Sequence, residues 1–412
     1  MAMEDVQDLV PGLILAGDVV TPNGRLLLPR GIVLADRHIS YLKKWGIARV
    51  NILEKKGSQS QGDEIKKIIT EEVEGFLSPI YSRNDFQHPV VRLVYHLGVE
   101  RLVDKALTGG WSPPRKEASM PVNDGRFRDE FISGRYNLKD LVKHEVQLSS
   151  FPDIYFKINE AINSSRSNAD YLARIISNDV SLCAKLLRLV NSPFYGMTSR
   201  VDSVSRAIAL LGADELSVLA MGISAISAFK DIPEELIDMK SFWTHSVAVG
   251  IISKSLARGL PDVSPERLFV GGLLHDMGKL IIFKKLAAAS SEVIIDSQTH
   301  LLPLYESERD ILGFDHSQAG ALVAQGWRLP GFLQEQIGRH HESGKMPSKE
   351  AAITHLADFL AVGMVFTDKG SIILPPLNQS ALEIIDLKPE KIMGILDDVD
   401  REFSETVSIF FA

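Results

Sequence analysis

The 412-residue chain has a single cysteine, Cys183. No intramolecular disulfide can form, so stability must come from packing, and a reducing, cytoplasmic compartment is expected. Excess positive charge is also missing. Lys and Arg number 45 against 53 Asp and Glu, for a net charge of −8. That balance argues against a broad surface for nucleic acid or an anionic membrane. The chain also lacks a long apolar run. The nearest, "AIALLGADELSVLAMGISAISAF", is broken by Asp214, Glu215, Gly212 and Gly222, so no membrane span is predicted. The opening "MAMEDVQDLV" is acidic and lacks the basic-then-apolar order of a signal peptide.

What remains is an ordinary globular composition, 45% apolar and 24% charged, in a length that suits two or three domains. Residues 1–56 read as a small β-rich domain. "LILAGDVV", "RLLLPRGIVL" and "ARVNIL" are strand-like, Pro22–Gly24 is a hairpin signal, and Asp36 and Gly46 bound a short helix. The polar "EKKGSQSQGDE" reads as a linker. A helical segment over 63–108 follows, with apolar spacing at Ile65, Ile68, Ile69, Val73, Phe76 and Leu77 and a second helix from about Pro89 to Ala106. Residues 109–137 break all periodicity and read as a linker. From Leu138 nearly every segment is helical, about ten helices with no convincing strand, so the fold class is mainly α. Asp179, Asp202 or Ser203, Ser264 with Pro265, Asp315 with Gln318, Pro330 and Ser348 are helix-start signals. Residues 365–412 read as two helices that pack back on the domain or, through apolar "VSIFFA", meet a second copy of the chain.

Most histidines fall in the helical region. A lone histidine is usually structural, and His38, His88, His96, His144 and His300 are read that way. His245 sits mid-helix on the face of Val249 and Ile252. His275 with Asp276 lies in the apolar "GGLLHDMGKL", also read as mid-helix. His316, His340 with His341, and His355 with Asp358 complete the set. Isolated buried polar groups are costly, and several on separate helices satisfy one another only by converging. Converging imidazoles and carboxylates are how helical bundles hold metal, here one or two ions of iron, manganese or zinc. Such a metal would make a nucleophile of bound water. Lys279, one turn from His275, is read either as a contact for a phosphate oxygen or as a salt-bridged lysine. Phe194 and Tyr195 of "NSPFYG" are read as packing rather than as a base-stacking platform.

The order His245, His275–Asp276, Asp358 resembles the H…HD…D pattern of the HD superfamily of metal-dependent phosphohydrolases. With His316, His340 and His341 it resembles the larger set of HD-GYP domains, the cyclic di-GMP phosphodiesterases. "LRLVNSPFYG", "AIALLG", "ESERDILGFDHSQAGALVAQGWRLPGFLQEQIGRHHE" and "HLADFLAVG" resemble the HDOD domain, the HD-related output domain of bacterial signalling proteins, over residues 138–364. The N-terminal unit is similar to small domains that precede such modules.

The resemblance implies a five-helix HD core with an extra N-terminal helical lobe. It also implies a regulatory output role, with a signalling protein or a small phosphate-containing ligand as partner. Were the domain hydrolytic, the resemblance implies His245, His275, Asp276 and Asp358 as metal ligands. His316, His340 and His341 would then form a second site, with Asp276 and Lys279 as catalytic groups. Two positions depart from the HD-GYP pattern. "HHESGKMPSKE" has no Gly-Tyr-Pro segment, and Ser241 stands where an acidic ligand often precedes the first histidine.

Overall fold

The structure is a computed structural model. It describes every residue except 1, 11–12, 22–25, 29, 33, 35, 53–57, 110, 112–136, 149–152, 164–168, 227–228, 230–231, 367–372 and 412. The chain divides into two units, residues 1–82 with 92–118, and residues 83–91 with 119–412.

In the first unit, β1 (Ala2–Asp5) pairs antiparallel with β4 (Arg49–Ile52), and β2 (Val19–Val20) pairs antiparallel with β3 (Leu26–Leu28). Val50 and Ile52 of β4 point inward, as a two-residue period requires. They join Leu15, Leu34 and Leu42 in a small core. Leu42 belongs to α1 (Asp36–Lys44), so Asp36 is the first helical residue rather than the cap before it. Gly46, at φ +67°, takes the left-handed turn that closes the helix. Strand β1 has no signal in the sequence, because "AMED" does not alternate. The Pro22–Gly24 turn and most of the 109–137 linker lie outside the described residues. Helix α2 (Ser58–Ile80) buries Ile65, Ile69, Val73 and Leu77, one face of a 3.6-residue period. Its first two turns fall in the stretch read as a polar linker. Helix α3 runs Pro89–Leu107.

The named elements of the second unit are all helices. A lobe of α4 (Leu138–Leu148), α5 (Asp153–Asn163), α6 (Ala169–Ser177), α7 (Val180–Val190), α8 (Val204–Leu211) and α9 (Ala213–Ile226) comes first. Then come α10 (Met239–Ala257), α11 (Pro265–Leu274), α12 (Met277–Lys285), α13 (Ala287–His300), α14 (Leu304–Leu312), α15 (His316–Gly326), α16 (Gly331–Arg339) and α17 (Lys349–Gly363). Helices α18 (Gln379–Ile385) and α19 (Pro389–Phe411) close the chain.

The caps are those the sequence signals. The Asp179, Ser203, Ser264 and Ser348 side chains accept from backbone N–H groups of the first turn. Asp315 and Gln318 form a reciprocal capping box. From Leu138 there are sixteen described helices rather than about ten. Several breaks carry no proline, so the apolar period runs straight through them, as at His275–Asp276 between α11 and α12. Gly212, at φ +94°, ends α8 as its place after "VSRAIALL" suggests.

Helix α19 packs along α10, burying Ile392, Ile395, Val399, Ile409 and Phe410. Each such burial is worth about 1.5–3 kcal/mol. An Arg258–Glu402 ion pair of 3.0 Å and a Phe366–Phe403 ring contact fasten it. The C-terminal stretch therefore packs on the helical domain, the first of its two readings. Among the described residues no helix is long and apolar enough to cross a membrane.

Candidate metal centre

Five elements bring the candidate residues together. His245 lies in α10. His275 and Asp276 form the break between α11 and α12, His316 opens α15, His340 and His341 follow α16, and Asp358 lies in α17. The His275–Asp276 pair is therefore a junction and not mid-helix as its apolar surroundings suggest. The break lets the two side chains leave the helical repeat and face different partners. Glycines explain how close the helices come. A Cβ on Gly272 of α11 would lie 2.8 Å from the Cα of Gly250 in α10. A Cβ on Gly278 of α12 would lie 1.9 Å from the carbonyl oxygen of His316. The glycines of "GGLLHDMGKL" are thus crossing points that press its His–Asp pair against α10 and α15.

Two clusters result. His245, His275 and Asp358 each offer a ligand atom within 4.8 Å of the others, as do Asp276, His316, His340 and His341. Asp276 spans the pair. Its Oδ1 is 3.2 Å from His316 Nε2 and 3.7 Å from His340 Nε2. Its Oδ2 is 3.4 Å from His275 Nε2 and 3.8 Å from His245 Nε2. Asp358 Oδ1 is 3.1 Å from His245 Nε2. Lys279 donates to Asp276 Oδ2 at 2.6 Å, one turn along α12. It is therefore salt-bridged, and its partner is Asp276 rather than His275.

The tautomers follow from the surroundings. A carbonyl only accepts, so His275 Nδ1 must donate to Gly272 O at 2.7 Å and His340 Nδ1 to Ile337 O at 2.8 Å. Burial keeps His340 neutral, so its Nε2 lone pair faces the lone pairs of Asp276, whereas burial of His275 is outweighed by the Asp276 and Asp358 carboxylates, which raise that ring above its usual value. His275 Nε2, His340 Nε2 and Asp276 Oδ1 are all buried without a hydrogen-bond partner. Facing acceptors repel unless a cation lies among them, and a divalent metal held by imidazole and carboxylate meets that need.

Protons meet it only in part. Burial opposes a charge on His316, but the Glu308 and Asp276 carboxylates together outweigh it and raise the ring to about 9. Burial lowers His340 to about 4. Burial, with His340 and His316 close by, also holds His341 well below its usual value. Burial would raise Asp276, yet His275, Lys279 and the neighbouring His316 and His340 rings keep it well below the carboxylate range. Two imidazoles thus stay neutral beside a carboxylate that stays charged. The donor set fits a metal, and its chemistry does not choose among iron, manganese and zinc.

Glu308, Tyr305 and Asn378, outside the sequence-derived set, support the clusters together with His355, which the sequence places beside Asp358. Glu308 Oε2 accepts from both His316 Nδ1, at 2.6 Å, and His316 N, at 2.7 Å. The Tyr305 ring stacks on His341 at 4.3 Å. His355 donates to the His340 carbonyl and accepts from Asn378 N, so it is structural. No spacing rule reveals them, because each acts through a loop or a neighbouring helix.

The "NSPFYG" turn packs as expected. The Asn191 side chain bridges Leu187 O with the backbone of Val201. Phe194 lies 4.7 Å from Phe269. Lys254 of α10 donates to Phe194 O at 2.8 Å, its ammonium 3.3 Å from the centre of that ring. Burial pushes the Lys254 pKa down to about 8 against the opposing pull of Glu266 and Glu402.

The second unit is thus a helical domain in which histidines and aspartates converge from separate helices. Residues 148–343 match the HDOD domain family, and the chain carries an HDOD domain there. Three solved structures share the fold. An HDOD domain protein of unknown function from Geobacter sulfurreducens is 24% identical, with a TM-score of 0.52 over 66% of this chain and 96% of its own. A Shewanella amazonensis SB2B protein, whose name suggests without asserting a phosphohydrolase, is 22% identical, with a TM-score of 0.53 over 66% and 98%. A Marinobacter aquaeolei VT8 protein, whose name suggests signal transduction in the same manner, is 18% identical, with a TM-score of 0.52 over 80% and 69%. An uncharacterized protein of Treponema pallidum (strain Nichols) is 23% identical over 222 residues, 54% of this chain. The chain spans less than half of that relative's length, 43%.

Proposed function

We propose that this is a cytoplasmic bacterial signal-transduction protein whose HDOD domain is a regulatory module with a metal centre in its core, and not a working hydrolase. One observation carries the reading. The ligand side chains are almost fully enclosed, from 0% exposed for His275 to 7% for Asp358. Lys279, the cation nearest them, is already committed to Asp276. A hydrolytic metal needs an open coordination position and room for a phosphate beside it. The centre instead ties together α10, the α11–α12 junction, α15, α16 and α17. The output is binding of a partner protein or a small phosphate-containing ligand elsewhere on the domain, with the residue 1–56 unit as the input. A second copy of the chain is the other candidate partner for the outer faces of the domain.

The completeness of the two clusters supports a second reading, metal-dependent hydrolysis of a nucleotide or cyclic dinucleotide. A bound metal would then supply an activated water. His245, His275, Asp276, His316, His340, His341 and Asp358 would hold it, and Lys279 would have to leave Asp276 to meet a phosphate oxygen.

The test is elemental analysis of protein purified without chelator, followed by turnover assays on cyclic dinucleotides, including cyclic di-GMP, and nucleotide phosphates. Near-stoichiometric metal without turnover supports the module. Turnover that His275→Ala abolishes overturns it in favour of the enzyme. Absence of metal, before and after reconstitution, removes the metal from both readings.

A further inference from the structure

The two clusters differ in what stands behind them. In the Asp276–His316–His340–His341 cluster, one carboxylate oxygen, Glu308 Oε2, is held by both the Nδ1 and the backbone N of His316. Glu308 is 0% exposed, and its other oxygen is buried without a partner. Three residues earlier on the same face of α14, Tyr305 stacks on His341. In the other cluster, His275 leans on a backbone carbonyl only, and His245 Nδ1 is buried with no partner. The Asp276 oxygen that faces this cluster is the one Lys279 occupies.

We propose, resting on the metal reading above, that the chain binds two divalent ions with unequal affinity. Glu308 is the positioning residue that makes the His316 cluster the tighter position. Two physical effects point the same way. A carboxylate behind an imidazole fixes its tautomer and raises the basicity of the facing Nε2. Glu308 also gives the His316 position a second carboxylate beside Asp276, matching the Asp358 and Asp276 pair at the other position. At the His245–His275–Asp358 position, Lys279 places a positive charge on the neighbouring oxygen. That charge repels an incoming cation, and the ammonium must give way before Asp276 can bridge.

The experiment uses the full chain stripped of metal and titrated with Mn(II) or Zn(II) alone, read by calorimetry and by elemental analysis after dialysis. The expected result is two classes of site. Glu308→Gln keeps the shape and an acceptor for His316 but loses the charge. It should weaken the tighter class by 10- to 100-fold and leave the weaker class unchanged. His245→Ala should delete the weaker class alone. Glu308→Ala, checked for retained helical signal, should exceed the effect of Glu308→Gln. If Glu308→Gln leaves the tighter class unchanged, or lowers the weaker one instead, the assignment of Glu308 is wrong although the centre stands. A wild-type chain that takes up no metal overturns the metal reading itself, and Glu308 with it.

Discussion

Lys254 offers a perturbation whose size can be worked from its surroundings. The amine is 6% exposed, donates to Phe194 O and lies over the Phe194 and Tyr195 rings. Burial lowers its pKa from 10.5 to about 8. The unfolded chain therefore binds a proton in the window from pH 8 to 10.5 that the folded chain has released, and stability must rise with pH there. At about 1.4 kcal/mol per unit, the full swing is about 3 kcal/mol. Lys254→Met keeps the length and removes the titration. Urea unfolding of both chains at intervals from pH 7.5 to 10.5, followed by helical signal, isolates the effect, since all other groups cancel in the difference. Wild type should gain about 3 kcal/mol on the variant across the window, with little change below pH 7.5. A gap that stays constant, or moves the other way, would show that the amine is not held in a desolvating site. The contact between the "NSPFYG" turn and α10 would then be misread.

Two further outcomes rest on packing. Gly278→Ala drives a Cβ into the His316 carbonyl, a backbone atom that cannot rotate aside. It should cost about 3 kcal/mol or more in thermal or urea unfolding. Gly75→Ala in α2, where a Cβ meets nothing within 4 Å, should stabilise by about 0.5–1 kcal/mol. Asn378→Ala removes the cap of α18 and two bonds, to Glu342 O and Gly344 O. A loss of about 2 kcal/mol is expected, with faster hydrogen exchange in residues 340–346 as the local signature.

The candidate residues were legible in the sequence because the chemistry that needs them is unusual there. Seven His and Asp residues in apolar helices have no inexpensive fate except convergence, and the structure brings all seven together. The caps at Asp179, Ser264 and Asp315 were legible because a polar acceptor before an apolar period has one common use. The break at His275–Asp276 was not. No proline or positive φ marks it, and the leucines on either side continue one period. Glu308 was hidden because it is charged, lies on a helix with ordinary surface residues such as Glu306 and Arg309, and acts on a residue eight positions away. Strand β1 was hidden because its pairing with β4 lies wholly in the backbone.

The glycines and the charges of "GGLLHDMGKL" answer to one geometric demand. Gly272 and Gly278 let α10 and α15 approach from opposite sides of the junction, so Asp276 can present one oxygen to each cluster. The same approach leaves the ligand side chains buried, with Tyr305 stacked on His341 and Lys279 bonded to Asp276. A divalent ion held there would add its binding energy to the fold, as a ligand of the native state does, by tying α10, α12, α15, α16 and α17 together.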